Sequence, residues 1–202
     1  LAGVSRAMDP VAADPVWPLP PMHWRGRGGP IVLAWRSSSL LSDADWCVLL
    51  QALSALAEQS DRPVLWLPLH DIQDGGLMQR LKGQGLLPES LAARSREIRL
   101  QRPEELMAQA SAAGLVLAMR LHGLILAARA GAPVSALSYD PKVAAAAHAL
   151  GRPWADLQPL PSADALTSSW QQQLDQPLPS AAIAAQVQSA AQHQGLLKPA
   201  TP

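Results

Sequence analysis

The side chains in this sequence that are best suited to hold an anion or to move a proton follow short apolar runs. They form three groups, which are Arg36, the run Arg120-Leu121-His122 and the run Tyr139-Asp140-Pro141-Lys142. Arginine grips a carboxylate or a phosphate through paired hydrogen bonds, and histidine changes charge near neutral pH. The three groups therefore predict a site for an anionic ligand, with His122 as the candidate for proton transfer.

Two of the predicted helices begin with positive side chains, which is unfavourable unless an anion is bound there. The helix predicted at Pro103–Ala113 has two glutamates in its first turn, as expected, because a helix N-terminus carries about half a positive charge. The helices predicted to start near Leu121 and Pro141 have Arg120 and Lys142 instead, at a cost of up to about 1 kcal/mol at exposed sites. A bound anion, held by helix N–H groups and arginine, would offset that cost.

Each of these residues also has a structural explanation, which the sequence leaves open. An ion pair with a nearby carboxylate would account for Arg36 and for Arg120. A helix N-cap would account for Asp140, and a solvated position for Lys142. In that alternative, His122 is a hydrogen-bonded histidine without a role in catalysis.

The sequence gives weaker evidence for a functional role of Tyr139, His70 and Cys47. Tyr139 is the only tyrosine and packs either on a ligand or on the sheet alone. His70 follows the second predicted strand and is expected to be structural or a substrate contact. Cys47 is the only cysteine, which excludes a disulfide within the chain and a metal site of several cysteines. The five histidines are scattered, so we expect no metal centre.

An alternation of apolar runs and amphipathic segments provides the framework for these side chains. The predicted strands are Ile31–Trp35, Val64–Leu69, Arg96–Leu100, Leu115–Met119 and Val134–Ser138. The predicted helices are Asp43–Gln59, Gly76–Gly85, Pro103–Ala113, Leu121–Ala130 and Pro141–Leu150. This order predicts an α/β fold with a doubly wound parallel sheet of about five strands. Ligands bind such sheets at the carboxyl ends of the strands, where Arg36 and Arg120 would face each other across the switch point.

By composition the chain divides into three parts. Residues 1–30 are rich in proline and glycine, which predicts an interdomain linker, and residues 31–151 carry the alternating pattern of the ligand-binding lobe. Residues 152–202 have few charges and predict a helical C-terminal extension. We expect apolar side chains in the linker and the extension to stay exposed and to promote self-association, as in a homodimer. These side chains are Trp17, Trp24, Trp170, Leu174, Ile183 and Val187.

Composition and charge limit the classes of function. The 202 residues are 49% hydrophobic and 16% charged, which excludes disorder over the whole chain. Lysine plus arginine and aspartate plus glutamate are both 16, so no overall positive field attracts nucleic acid or an anionic membrane. The longest apolar stretch, 121–137, is interrupted by charged residues, glycine and proline, and is not expected to span a membrane. The first residue is leucine, so we expect a piece of a longer protein.

The chain resembles the polysaccharide pyruvyl transferase family, and its CsaB-type members most of all. The runs that carry the resemblance are Met119-Arg120-Leu121-His122-Gly123-Leu124-Ile125, Gly131-Ala132-Pro133-Val134 and Ser138-Tyr139-Asp140-Pro141-Lys142-Val143. Ile31–Arg36 and Leu67-Pro68-Leu69-His70 with the later Asp74 also resemble the family pattern. The likeness extends from about Asp14 to Gly151. The family usually has a polar amide where His70 stands, so the resemblance implies no role for His70.

The resemblance implies a fold, a reaction and partners. The fold is the Rossmann-like C-terminal lobe of a GT-B-like, two-lobed protein, whose N-terminal lobe would be the partner of this chain. The reaction is the transfer of pyruvate from phosphoenolpyruvate, as a ketal, to sugar hydroxyls of a cell-surface polysaccharide or its lipid-linked precursor. It requires no cofactor and no metal. The expected location is cytoplasmic, with peripheral attachment to the inner face of the membrane as an alternative. Activity without the N-terminal lobe is left open.

The resemblance also implies roles for the site residues. His122 would be the general acid that protonates the methylene carbon of phosphoenolpyruvate. The substrate-binding residues would be Arg36, Arg120, Leu121, Tyr139, Asp140 and Lys142. The two arginines would each grip one acidic group of the donor bidentately, and Lys142 would bind the leaving phosphate.

Two other functions are compatible with the same framework. The first is a nucleotide-sugar-dependent GT-B glycosyltransferase lobe, which needs a carboxylate to hold a ribose, and Asp156 and Asp164 are its candidates. The second is a non-catalytic domain kept for assembly. Calorimetry with phosphoenolpyruvate and with UDP would distinguish these functions from pyruvyl transfer.

Overall fold

A six-stranded parallel sheet forms the centre of the molecule. The structure, a computed structural model, describes residue 14, residues 16–17 and residues 19–196. The strands are β1 Ile31–Ala34, β2 Val64–Trp66, β3 Ser95–Glu97, β4 Leu115–Ala118, β5 Val134–Ser138 and β6 Trp154–Asp156. They lie in the order β3-β2-β1-β4-β5-β6, and every neighbouring pair is parallel. The chain therefore reverses its direction of winding between β1 and β4, as expected for a doubly wound sheet.

Helices connect the strands and cover both faces of the sheet. They are α1 Asp43–Ser60, α2 Asp71–Asp74, α3 Leu77–Gly83, α4 Glu89–Arg94, α5 Pro103–Ser111, α6 Leu121–Arg129, α7 Pro141–Ala149, α8 Ala163–Gln173 and α9 Ser180–Leu196. The local signals at their ends are visible in the sequence. Ser42 and Asp45 form a capping box at the start of α1, and Pro103 and Pro141 stand in the first turns of α5 and α7. None of the described helices is long and apolar enough to cross a bilayer.

The two edge strands differ from the sequence prediction. The third strand ends at Glu97 rather than Leu100, although the backbone N–H of Ile98 still donates to Trp66. The sixth strand, Trp154–Asp156, lies in the segment predicted as a helical extension and pairs with β5 through Ala136 and Trp154. Edge strands of three residues are partly exposed, so they lack the continuous apolar run from which buried strands are recognised.

Alternate residues of the central strands divide the core between the two faces of the sheet. Val32 and Ala34 of β1 pack towards α5, α6 and α7, whereas Ile31, Leu33 and Trp35 pack towards α1 and α8. All five side chains are buried. This alternation is what a strand buried on both faces requires, and it explains why β1 reads as an unbroken apolar run.

Apolar side chains of the N-terminal segment and the C-terminal extension pack against the core of this sheet. The expectation that they stay exposed is therefore wrong. Trp17 and Trp170 are 2% and 1% exposed, and both belong to the core. Arg129 of α6 donates hydrogen bonds to the carbonyl of Leu19, and Trp24 Nε1 donates to the carbonyl of Ala113 at 2.8 Å. The remaining members of the predicted exposed set are partly buried against the core; these are Leu174, Ile183 and Val187. Self-association itself stays a prediction.

Candidate functional site

A polar cleft of about 310 Å³ lies at the carboxyl ends of β2, β4 and β5, beside the switch point. Its walls are Leu69, His70, Arg120, Leu121, His122, Tyr139, Asp140, Lys142 and Val143. Six of the seven residues that the sequence predicts for the site line this cleft, and Arg36 is the exception. Residues far apart in the chain meet here because parallel strands bring their carboxyl ends to one edge of the sheet.

Arg120, the last residue before α6, is held by a buried carboxylate. Its Nε donates to Asp74 Oδ2 at 3.0 Å, and its Nη2 donates to Asp74 Oδ1 at 2.5 Å and to Gln73 Oε1 at 2.8 Å. The side chain of Asp74 is 0% exposed. The ion pair that the sequence left open as an alternative is therefore present. Arg120 cannot also grip a donor anion through the Nε–Nη2 edge that holds Asp74.

Arg36 follows β1 and contacts Tyr139, a wall of the cleft. Its Nη1 donates to the hydroxyl of Tyr139 at 3.1 Å, and its guanidinium carbon lies 4.7 Å from the centre of the tyrosine ring. Its Nε donates to the carbonyl of Ser37 at 3.0 Å. The ion pair with a nearby carboxylate, left open as the structural alternative for Arg36, is absent among the described residues, where its partners are Ser37 and Tyr139. Tyr139 thus packs against an arginine on one side while it lines the cleft.

His122 stands on the first turn of α6 with a carboxylate beside it. Its Nε2 lies 3.4 Å from Oδ2 of Asp14, and its side chain is 62% exposed. The other carboxylate oxygen of Asp14 accepts from the backbone N–H of Val16 at 3.0 Å, which fixes the carboxylate. Asp14 could not be predicted as a partner of His122, because the proline-rich segment around it has no periodicity and no local pattern that shows where it packs.

The two helices that start at the cleft are capped differently. Within the part of the chain that the structure describes, no side chain caps α6, whose N-cap residue is Arg120. The carboxylate of Asp140 caps α7 by accepting from the backbone N–H of Lys142 at 2.9 Å. The Asp140 N-cap given as the structural alternative is therefore present, whereas no side chain of the described residues accepts from the N–H groups at the start of α6.

Gly123 allows α6 to start close to the sheet. A Cβ atom at this position would lie 2.6 Å from Cβ of Ala34 and 3.2 Å from Cδ1 of Leu69. Only a residue without a Cβ fits this approach, because carbon atoms in contact normally stay about 3.5–4.0 Å apart. The glycine thereby sets the position of His122, which directly precedes it, and of Arg120, three residues before it.

A second, apolar cavity of about 540 Å³ adjoins the polar cleft and shares Leu69 and His122 with it. Its remaining walls are Val16, Leu19, Pro68, Leu100, Gln101, Arg102, Pro103, Leu106 and Leu126. Neither Asp156 nor Asp164, the predicted ribose ligands, lines either cavity. Within the described residues, no group of three or more histidine, cysteine, aspartate or glutamate side chains is arranged to hold a metal ion.

Comparison with known sequences identifies one family. The family model described as polysaccharide pyruvyl transferase matches residues 2–141, more than two thirds of the chain. The match includes β1 to β5, Arg36, Asp74, Arg120 and His122. A search of curated proteins finds no match.

Solved structures with the same fold are GT-B glycosyltransferases. Os79 from O. sativa, in complex with UDP and deoxynivalenol-3-glucoside, has a TM-score of 0.52 and 14% identity and aligns with 82% of this chain. An O-GlcNAc transferase mutant from Thermobaculum terrenum has a TM-score of 0.50, 15% identity and 87% coverage of this chain. WaaG, a glycosyltransferase involved in lipopolysaccharide biosynthesis, has a TM-score of 0.50, 19% identity and 85% coverage. The chain spans 36%, 33% and 44% of these three structures, and the low identity shows the fold alone.

Proposed function

The chain belongs to the polysaccharide pyruvyl transferase family, and on this premise we propose that its polar cleft binds phosphoenolpyruvate for transfer to a sugar. The product is a ketal of pyruvate with two hydroxyls of a cell-surface polysaccharide or its lipid-linked precursor, and the proposed location is cytoplasmic. The observation that carries this proposal is the meeting of Arg120, His122 and Lys142 in one cleft at the start of α6, which no side chain of the described residues caps.

The charges of the cleft suit a donor that carries both a phosphate and a carboxylate. The Nε and Nη2 groups of Arg120 are occupied by Asp74 and Gln73, which leaves the two N–H groups on Nη1 for the donor. The N–H groups in the first turn of α6 and the ammonium of Lys142 add two further sources of positive charge. Arg36 acts on the donor through Tyr139, which it holds against the cleft.

The proposed reaction needs one group that gives and takes a proton, and His122 is placed for it. Protonation of the methylene carbon by His122 makes the neighbouring carbon electrophilic, and a sugar hydroxyl attacks that carbon. The hydroxyl proton returns to the imidazole. The C–O bond to phosphate then breaks, a second hydroxyl of the same sugar attacks, and its proton leaves with the phosphate. One phosphoenolpyruvate and one sugar diol thus give one ketal and one inorganic phosphate.

Asp14 supports this role of His122 by fixing its ring. The carboxylate is itself held by the N–H of Val16 and lies 3.4 Å from Nε2 of His122. A base or acid that a third group orients is a recurring arrangement in catalytic sites.

A nucleotide-sugar glycosyltransferase is the second candidate, because the apolar cavity beside the cleft is large enough for a planar base. Three solved structures with this fold, all of Os79, are described as complexes with UDP. The absence of Asp156 and Asp164 from both cavities counts against this candidate.

Calorimetric titration of the chain with phosphoenolpyruvate and with UDP tests the proposal. We expect binding of phosphoenolpyruvate, and Lys142→Ala should weaken it about tenfold, the scale of one hydrogen bond to a charged group. Lys82→Ala is the matched control, since Lys82 is also an exposed lysine but lies on α3, outside the cleft. Binding of UDP in place of phosphoenolpyruvate would favour the second candidate, and equal effects of the two lysine variants would place the donor outside this cleft.

A further inference from the structure

We propose that Asp74 is a positioning residue, which acts on the donor by fixing the guanidinium of Arg120. This inference rests on the proposed function and adds to it a residue that does not line the cleft itself. The carboxylate of Asp74 is buried, while the arginine that it holds lines the cleft.

The contacts of Asp74 connect two walls of the cleft. Its carboxylate holds Arg120 by two hydrogen bonds of 3.0 and 2.5 Å. Its Oδ2 also accepts from the backbone N–H groups of Leu69 and His70 at 3.2 and 3.1 Å. Leu69 and His70 follow β2, Arg120 follows β4, and β1 lies between these strands. One carboxylate on the short helix α2 therefore connects two cleft walls whose strands, β2 and β4, are not neighbours in the sheet.

The geometry limits what Arg120 can offer a ligand. Five N–H groups are available on a guanidinium, and three of them are used by Asp74 and Gln73. Arginine has a long side chain with many rotamers, and the ion pair restricts it to one of them before the donor arrives. A ligand therefore meets one oriented pair of N–H groups, on Nη1, without the entropic cost of ordering the side chain.

The ion pair of Asp74 and Arg120 orients the hydrogen bonds of the guanidinium and does not attract the donor from a distance. Asp74 and Arg120 together carry no net charge, so the pair adds little long-range attraction for an anion. A buried ion pair of this kind is also not a strong source of stability compared with apolar residues. The feature that the pair does supply is a fixed direction for the hydrogen bonds of Arg120.

If Asp74 orients Arg120, loss of its charge should leave donor binding intact or strengthen it, but should lower turnover. Asp74→Asn keeps the size of the side chain but leaves the charge of Arg120 unbalanced. An anionic donor should then bind at least as tightly as before, but in more than one orientation. We expect KM for phosphoenolpyruvate to stay the same or fall, while kcat for pyruvyl transfer falls at least tenfold.

The experiment compares Asp74→Asn with Asp61→Asn in the pyruvyl transferase that contains this chain. Asp61 makes the matched control because it also pairs with an arginine, Arg94, but at an exposed position away from the cleft. Thermal unfolding of each variant shows whether it is folded. If Asp74→Asn does not fold, Arg120→Lys replaces it, since lysine keeps the charge and loses the planar guanidinium that Asp74 orients. We then expect kcat to fall at least tenfold and KM to rise, because the two N–H groups on Nη1 that face the donor are lost as well.

A second measurement does not depend on turnover. The ¹⁵N–¹H signal of Arg120 Nε should exchange slowly with water in the wild-type chain and rapidly in Asp74→Asn. If the wild type does not consume phosphoenolpyruvate, the proposed function is wrong, and this signal still decides whether Asp74 fixes Arg120. Rapid exchange in the wild type would overturn the inference. Unchanged kcat in the folded Asp74→Asn variant, or in Arg120→Lys, would overturn it as well.

Discussion

Replacement of Gly123 by alanine tests whether the close approach of α6 to the sheet positions the site. The added methyl group would lie 2.6 Å from Cβ of Ala34, about 1 Å inside normal contact distance. The contact would join two Cβ atoms, whose positions are fixed by the backbones of β1 and α6. Rotation of a side chain therefore cannot relieve it. We therefore expect the start of α6, with Arg120 and His122, to shift outwards.

The energetic cost follows from two opposing effects. Overpacking of this kind costs about 1–3 kcal/mol, while alanine in place of glycine inside a helix stabilises by up to about 1 kcal/mol. The net expectation is a loss of about 1–2 kcal/mol in the free energy of unfolding. For a chain of this size that corresponds to a fall in Tm of roughly 2–8 °C.

The effect on function should exceed the effect on stability. A displacement of about 1 Å in a catalytic group can reduce a rate by about 100-fold. We expect Gly123→Ala to weaken phosphoenolpyruvate binding at least threefold and to reduce pyruvyl transfer at least tenfold. The assays are thermal unfolding, calorimetric titration and release of inorganic phosphate.

Gly83→Ala is the matched control for this experiment. Gly83 also lies in a helix, α3, but a Cβ atom there would meet no atom within 4 Å. The same substitution should be neutral there or stabilise by up to about 1 kcal/mol. If Gly123→Ala matched Gly83→Ala in stability and kept wild-type binding, the packing argument for the position of α6 would be refuted.

Three further predictions follow from individual contacts. In the full enzyme, His122→Asn should lower turnover about 100-fold with little change in donor binding or Tm, and Asp14→Asn should lower turnover less; equal turnover in all three proteins would exclude His122 as the acid. The hydrogen bond from Arg62 holds the pKa of Asp175 below its usual value, so its stabilisation is present above about pH 4 and lost as the pH falls through the lowered pKa. Urea unfolding of Asp175→Asn should therefore differ from wild type most at neutral pH and converge with it in acid, whereas a constant difference would contradict the linkage. Trp170→Ala should cost about 3–5 kcal/mol, measured by urea unfolding, because the side chain is 1% exposed; a loss under 1 kcal/mol would contradict its place in the core.

The central fold was predictable from the sequence because its signals are local. β1, β4 and β5 are buried on both faces; β1 and β4 appear as continuous apolar runs, and β5 as an apolar run interrupted by two serines. Glycine or proline marks the helix ends next to them. The strands at the edges gave weaker signals. β6 is partly exposed and only three residues long, so its place in the sheet depends on pairing with β5, which composition does not reveal.

The members of the candidate site were predictable from their places at strand ends, whereas their partners were not. Arg120, His122 and Lys142 line one cleft, as the order of a doubly wound sheet requires. The pairing of Arg120 with Asp74 depends on the rotamers of two side chains, and the contact of His122 with Asp14 depends on how the N-terminal segment packs. Such contacts arise from tertiary structure and leave no periodic pattern in the sequence.

A crystal structure of the chain soaked with phosphoenolpyruvate would show directly whether the polar cleft binds the donor. We predict that the donor lies in this cleft, with one acidic group at Nη1 of Arg120 and the first turn of α6, and the other near Lys142. His122 should then stand within hydrogen-bond reach of the methylene end. Donor bound in the apolar cavity or elsewhere on the surface, with the polar cleft empty at saturating concentration, would contradict the account.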